Sequence, residues 1–446
     1  MSHHSDRPLP SVKHDVIERG DHGISRKQIS PNALRVLYRL KDGGFDAYLV
    51  GGAVRDLLIG GAPKDFDVAT NATPEEVKHL FRNCRLIGRR FRLAHVMFGR
   101  EIIEVATFRA NSDDGSGDRE MEGGRLVRDN VYGSIEEDAV RRDFTANALY
   151  YNIEDFSVRD FVGGYEDVRH RVLRLIGEPE DRYREDPVRM LRAVRLASKL
   201  DFRIDVAAAE PIPRLAGLLN ESSSARLFDE SLKLFMAGHA EASWLGLETH
   251  GLLPALFPDS SAALRADETG GLRRLLLTAL RNTDARIRED RPVTPAFLFA
   301  ALLWPAYAAE LASLEAGGLE VHLAQQRAAD RVVMHQVQRI ALPRRFSIPM
   351  QEIWMLQARF PDRRRKRVFR LLSHPRFRAA YDFLELRQQA EPELADEVAF
   401  WRDAQELSGD QLSARLGPPR SGGGDPQPSR KRRRRRRRNP ASESRE

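Results

Sequence analysis

The sequence predicts an α+β protein with a mixed α/β head, an all-helical remainder and a basic tail. Three observations lead there. Short apolar runs bounded by glycine alternate with capped helical segments up to about residue 165. Beyond "EDPVRMLRAVRLASKL" the pattern changes to long Leu/Ala/Arg segments such as "ARLFDESLKLFMAG". From about residue 417, Pro, Gly and Ser flank a run of cations too dense to fold on itself, so this tail is expected to be disordered.

At 446 residues the chain can bury a large core without staples. Its one cysteine, Cys84, excludes an internal disulfide and a Cys-rich zinc site, and fits a reducing compartment. No apolar run approaches the roughly 18 residues of a membrane span, and the N-terminus lacks the apolar segment of a signal peptide. A soluble, cytoplasmic protein is expected. The net charge is +7, yet Arg430, Lys431 and Arg432 to Arg438 supply nine consecutive cations, which leaves −2 for the rest. The basic character is local, as in a flexible arm for a polyanion.

Residues 1–28 are polar without a sustained period and are expected to be unstructured. In "SPNALRVLYRLKDGG", Ser30 is a candidate N-cap and Pro31 suits the first helical position. Leu34, Val36, Leu37 and Leu40 form an apolar face before a Gly-Gly stop. "AYLVGG" reads as a strand, "AVRDLLIGG" as a short helix ended by glycine and "DFDVAT" as a second strand. "TPEEVKHLFRN" opens another helix with a threonine cap, a proline and early carboxylates. "HVMFG" and "EIIEVATFR" predict a hairpin turned at Gly99 and Arg100. "ANSDDGSGDREMEGGRLVRDN" is too polar to pack and is expected to be a mobile surface loop.

Candidate chemistry begins at Asp65 and Asp67. Alternate strand residues share a face, so both project together, with backbones about 6.5 Å apart. Such hard oxygen ligands suit Mg²⁺ ions about 4 Å apart, although Asp-x-Asp is also a common solvated strand end. Gly51 and Gly52, between strand and helix, would let a phosphate approach free N–H groups, with Arg55 one turn further on; a tight turn needs them equally. Glu104 lies in a strand otherwise suited to burial, where an unpaired carboxylate is costly. Either Arg109 or another cation neutralises it, or it joins the aspartates near metal.

"SIEEDAVRRDFTANALYYN" begins with a capping box, Ser134 and Glu137. Asp143 and Asn147 then share a predicted helix face behind Arg141 and Arg142, and the face could hold triphosphate and ribose or ordinary ion pairs. In "REDPVRMLRAVRLASKLDFR", Asp186 is a plausible N-cap before Pro187. Arg189, Arg192 and Arg195 recur every three residues beside the apolar stripe of Met190, Leu191, Val194 and Ala197. That row is either a solvated edge or a ligand-facing one.

"GGAVRD", "DFD", "RRDFTANAL" and "EDPVRMLRAVR", in this order, resemble the class II nucleotidyltransferases, the family of bacterial poly(A) polymerases and CCA-adding tRNA nucleotidyltransferases. The motifs cover about residues 30 to 260. The resemblance implies a polymerase β-like nucleotidyltransferase head (29–165), a helical neck binding nucleotide and RNA (166–260), a helical RNA-binding body (261–416) and disordered ends (1–28 and 417–446). It implies that Asp65 and Asp67 bind Mg²⁺ in a two-metal mechanism with ATP as substrate. It also implies that Gly52, Arg55, Arg142, Arg189 and Arg192 contact the nucleotide, with Gly51, Asn147 and Asp186 completing that set, and that Asp143 is a further catalytic acid. Glu104 as a metal ligand rests on the strand argument alone.

A carboxylate at Asp186 and a guanidinium at Arg189 match the amino group and ring nitrogen of adenine and of cytosine, but oppose guanine and uracil. The pair does not separate A from C. "LIGRRFRLAHVMFG", residues 86–99, resembles the stretch that distinguishes bacterial poly(A) polymerases from CCA-adding enzymes. The implied activity is template-independent addition of AMP to RNA 3′ ends with release of pyrophosphate, promoting RNA turnover. Implied partners are mRNA, small RNA and decay intermediates, not DNA, held partly by Arg432, Arg433, Arg434, Arg435, Arg436, Arg437 and Arg438. The alternatives are a CCA-adding enzyme and a non-catalytic RNA-binding scaffold.

Overall fold

Ser30 accepts hydrogen bonds from the N–H groups of Asn32 and Ala33 and so starts α1 (Pro31–Asp42), which buries Ala33, Val36, Leu37 and Leu40. The computed structural model describes residues 14–88, 92–110, 119–122, 125–129 and 131–416; Arg432 to Arg438 lie outside them, as do Arg89 and Arg90. Before α1, β1 (Asp15–Ile17) is already ordered, contrary to the expectation for residues 1–28. A three-residue strand anchored by Ile17 and followed by buried Ile24 is too short to register as a period.

The head continues with β2 (Ala47–Val50), α2 (Gly52–Leu58), β3 (Asp67–Thr70) and α3 (Pro74–Leu80), the last opened by a Thr73–Glu76 capping box. Strands β4 (Cys84–Ile87), β5 (Leu93–Phe98) and β6 (Glu101–Thr107) follow. Phe98 pairs with Glu101, so the hairpin turns at Gly99 and Arg100 as the sequence predicts. Two further strands, β7 (Arg119–Glu122) and β8 (Arg125–Asp129), pair as a hairpin inside the segment expected to be an irregular loop. The two-residue Gly-Gly spacer between short runs in "REMEGGRLVRD" is the signal for it. After α4 (Ile135–Arg141), strands β9 (Leu149–Asn152) and β10 (Val158–Asp160) complete an eight-stranded sheet ordered β1-β10-β9-β2-β3-β6-β5-β4. Every neighbouring pair is antiparallel except β3 with β6.

The helical part begins with α5 (Gly164–Arg169), α6 (Pro179–Glu185) and α7 (Val188–Leu200). Two single turns, α8 (Val206–Ala209) and α9 (Ile212–Leu215), lead to α10 (Ser224–Phe235) and α11 (Ala240–Thr249). Helix α7 buries Met190, Leu191, Val194 and Leu196 in an apolar core continuous from Ile17 to Leu386. A second core gathers Phe360, Val368, Leu371, Trp401 and Leu412 near the C-terminus. Among the described residues no single helix is long and apolar enough to cross a membrane; Pro295–Leu302 and Trp304–Ala316 together pass on composition but bend by 53°.

One carboxylate fixes the turn between sheet and helices. The buried Asp160 accepts from the N–H groups of Val162, Gly163 and Gly164 at 3.0 Å and of Tyr165 at 2.8 Å. This seats α5 against the 3₁₀ turn Thr145–Asn147, so closely that a Cβ on Gly164 would lie 2.1 Å from the Thr145 carbonyl oxygen. Asp160→Ala orphans these donors and should destabilise the fold by about 3 kcal/mol in urea unfolding; a loss below about 1 kcal/mol would mean that the turn holds itself.

Candidate active site

Strand β2 ends at Val50 and the chain turns at Gly51, whose φ of +74° and ψ of −136° are closed to residues with a side chain. The turn is roofed by cations. A Cβ at Gly51 would stand 3.6 Å from Arg142 Nη1, and one at Gly52 would stand 3.4 Å from Arg55 Nη2. Both arginines are held. Arg55, 3% exposed, donates to Asp56 at 2.9 and 2.6 Å and to Asn147 Oδ1. Arg142 donates from Nε to the Tyr150 hydroxyl at 3.0 Å and from Nη2 to Asp138 at 3.0 Å, and Tyr150 donates to Asp138 at 2.7 Å.

Helix α4 ends at Arg141, so Asp143 and Asn147 do not share an α-helical face as the sequence suggested. The backbone extends at Arg142 and re-forms a 3₁₀ turn at Thr145–Asn147, which brings the two together by another route. Asn147 Nδ2 donates to Asp143 Oδ1 at 3.2 Å, and Arg192 of α7 donates from Nε to Asp143 Oδ2 at 2.9 Å. A continuous chain therefore runs Arg55–Asn147–Asp143–Arg192, from the glycine turn to the first neck helices. Burial opposes the charge on Asp143, but Arg192 and the Asn147 and Phe144 donors outweigh it and hold the carboxyl below its ordinary range.

The carboxylates lie beside this turn. Asp67 opens β3, opposite Val50 of β2 and in register with Glu104 of the parallel strand β6. Asp65 precedes the strand rather than lying in it, yet alternation holds: Phe66 and Val68 are buried, Asp65 and Asp67 exposed. Glu104 is half exposed instead of buried, and its partner is His95 Nε2 on β5 at 3.2 Å, not Arg109. Partial desolvation, with the charges of Glu104 and Asp65 against that of Arg142, pushes Asp67 up to about 6. Among the described residues no three His, Cys, Asp or Glu side chains already form a closed cluster. The donor set nonetheless fits a hard divalent cation, because a cation would relieve the repulsion between adjacent like-charged oxygens that, on top of desolvation, raises the pKa of Asp67.

Pro187, not Asp186, is the N-cap of α7; Asp186 just before it accepts from the Val188 N–H at 3.2 Å, while its other oxygen accepts from Arg226 of α10 at 2.6 Å. Arg189 donates to the Arg182 carbonyl and to Glu185, each at 2.8 Å. Both candidate base readers are thus engaged within the protein. Arg195 pairs with the buried Glu230, so the arginine row is an ion-paired seam and not a solvated edge. Sequence reasoning missed Asp138, Tyr150, Arg182 and Arg226. Asp138 had a signal, four residues before Arg142; Arg182, which donates to the Arg141 and Arg142 carbonyls at 2.9 and 2.7 Å, and Arg226 had none.

Asp67 carries a testable sign. Its folded pKa lies above the ordinary value, so the stability its proton contributes is present below about pH 4 and lost as pH rises through about 6. Without divalent cation, Asp67→Asn should raise Tm above about pH 7 and leave it unchanged below about pH 4. Equal Tm values at both ends would remove the like-charge reading.

Comparison with known proteins accords with this geometry. Family models match as the poly A polymerase head domain over residues 47–174, a probable RNA and SrmB-binding site of polymerase A over 201–264, and the polymerase A arginine-rich C-terminus over 317–439. Poly(A) polymerase I of Salmonella typhi is 52% identical over 397 residues, spanning 87% of this chain and 85% of that one. Its counterpart in Haemophilus influenzae is 46% identical over 403 residues, 89% of each. The CC-adding tRNA nucleotidyltransferase of Halalkalibacterium halodurans is 38% identical over 221 residues, 50% of this chain and 52% of that one. The Bacillus stearothermophilus CCA-adding enzyme in complex with CTP aligns with a TM-score of 0.56 at 27% identity, over 84% of this chain and 82% of that one. With a nucleotidyltransferase head and poly(A) polymerase relatives along most of its length, the chain belongs to the poly(A) polymerase family of nucleotidyltransferases.

Proposed function

We propose that this enzyme is a template-independent poly(A) polymerase that transfers AMP from ATP to RNA 3′ ends, releases pyrophosphate and so promotes RNA turnover. The carrying observation is the likeness to poly(A) polymerases over 87% of the chain, against half of it for the CC-adding relative. We keep the division into head (29–165), neck (166–260), body (261–416) and tail as part of this proposal.

In this reading Gly51 and Gly52 admit the triphosphate, beside the Gly52 N–H since that of Gly51 donates to the Leu149 carbonyl, while Arg142 and Arg55 neutralise it from positions already fixed by Asp138, Tyr150, Asp56 and Asn147. Such preorganisation spares reorientation during transfer. Asp65, Asp67 and, beside them, Glu104 would hold divalent cations of the Mg²⁺ class, whose chemistry when bound is to acidify the RNA 3′-hydroxyl and steady the leaving pyrophosphate. Asp143 acts through Arg192 and Asn147, both of which it orients. Base choice falls to Asp186 and Arg189, which exchange their internal partners for the base edge. Keeping Asp67 at the cost of a raised pKa argues against a scaffold without catalysis.

With Mg²⁺, ATP should yield long ladders on an unstructured RNA, whereas short CTP-dependent addition confined to tRNA lacking its 3′ end would mean a CCA-adding enzyme. Asp65→Ala with Asp67→Ala should reduce synthesis at least about a thousandfold yet spare RNA binding; synthesis at the original rate would remove the mechanism. Deleting residues 417–446 should weaken RNA binding and flatten its salt dependence, and an unchanged slope would exclude Arg432 to Arg438 as the RNA arm.

A further inference from the structure

A second concentration of charge lies within the folded body, outside the tail. Residues 363–370 read "RRRKRVFR", six cations in eight positions, with Asp362 beside them. The helix Arg365–Leu372 buries Val368 and Leu371 in the C-terminal core, which fixes its opposite face outward. Its first turn contains no acid and its N-cap is Arg364 with no side-chain capping bond. Cations at a helix N-terminus meet the positive end of its dipole, an arrangement that an approaching anion relieves.

Neutralisation by the protein is partial. Arg363 pairs with Asp396 at 2.6 Å, Arg364 pairs with Asp362, and Arg367 lies 3.7 Å from that same carboxylate. The side chains of Lys366 and Arg370 are exposed and have no hydrogen-bond or ion-pair partner among the described residues. Arg365 donates to Ser413 Oγ at 3.0 Å, which joins this helix to the last one, Gly409–Leu416. The run of cations Arg430–Arg438 begins in sequence seventeen residues after a side chain bonded to this face.

We propose that the Arg364–Arg370 face is a fixed RNA-backbone site, separate from the nucleotide site, that holds the strand upstream of its 3′ end. The inference rests on the poly(A) polymerase reading. It commits to RNA because the enzyme's acceptor is a polyanion and the face supplies the unpaired cations Lys366 and Arg370. It also sits on a different apolar core from the glycine turn, so only an acceptor long enough to span both engages it.

The test is the full-length double variant Lys366→Gln/Arg370→Gln, with Tm as a check on folding. For an unstructured RNA of about forty nucleotides, KM should rise roughly tenfold and the salt slope of binding should fall by about 1.4, the release expected from two single-strand phosphate contacts. KM for ATP, and for an oligoadenylate of about six nucleotides, should stay unchanged. An unchanged salt slope on the long RNA overturns the proposal, as does loss of binding to anionic phosphatidylserine vesicles with RNA binding intact. Wild-type protein that binds RNA but makes no poly(A) would instead defeat the catalytic reading, since binding reports on this face independently.

Discussion

The ion pair between Asp143 and Arg192 is the contact through which the rest of the site is arranged. Asp143 sits just after the last residue of a head helix, and Arg192 stands in the middle of α7. Through Asn147 the same carboxylate reaches Arg55, and Arg55 packs under Gly52. Both charged partners are largely buried, so each would be stranded at considerable cost without the other. The geometry at the glycine turn is thus coupled to α7.

Charge is segregated around that pair. Carboxylates gather at the start of β3 and the middle of β6, whereas guanidinium groups from α2, from the residue that follows α4 and from α7 stand beside them, each tethered by a carboxylate, hydroxyl or carbonyl. A cluster built only for stability would not desolvate Asp67 and set carboxylates so close that its pKa is pushed up to about 6. Retaining such a group trades folding stability for affinity toward a cation, as active sites commonly do.

Much of this was legible in the sequence because it depends on local rules. Ser30, Thr73 and Ser134 cap the helices that their spacing announces, and Gly99 turns the hairpin where the apolar runs require. The pair Asp65 and Asp67 and the Gly51–Gly52 turn were readable because alternation and positive φ are properties of a few adjacent residues. What escaped depends on residues far apart in the chain. Arg226 lies forty positions from Asp186, and His95 meets Glu104 only because β5 folds back on β6. Arg182 reaches the Arg141 and Arg142 carbonyls across about forty residues, and no periodicity reports that. The early end of α4 also escaped, since "RRDFTANAL" carries helical residues that tertiary bonds pull into an extended turn.

The parallel pairing of β3 with β6 has an evolutionary consequence. Asp67 and Glu104 are neighbours through strand register, so their separation follows from the interstrand spacing of about 4.8 Å and not from the length of chain between them. Between them the chain from α3 through β5 is a detour whose connecting loops can lengthen or shorten without disturbing the register of the two carboxylates, provided that β5 keeps His95 against Glu104. A single residue gained or lost inside β6 before Glu104 would instead turn that side chain to the opposite face. Drift in this family can therefore accumulate in the detour, while the two strands tolerate substitution far better than insertion.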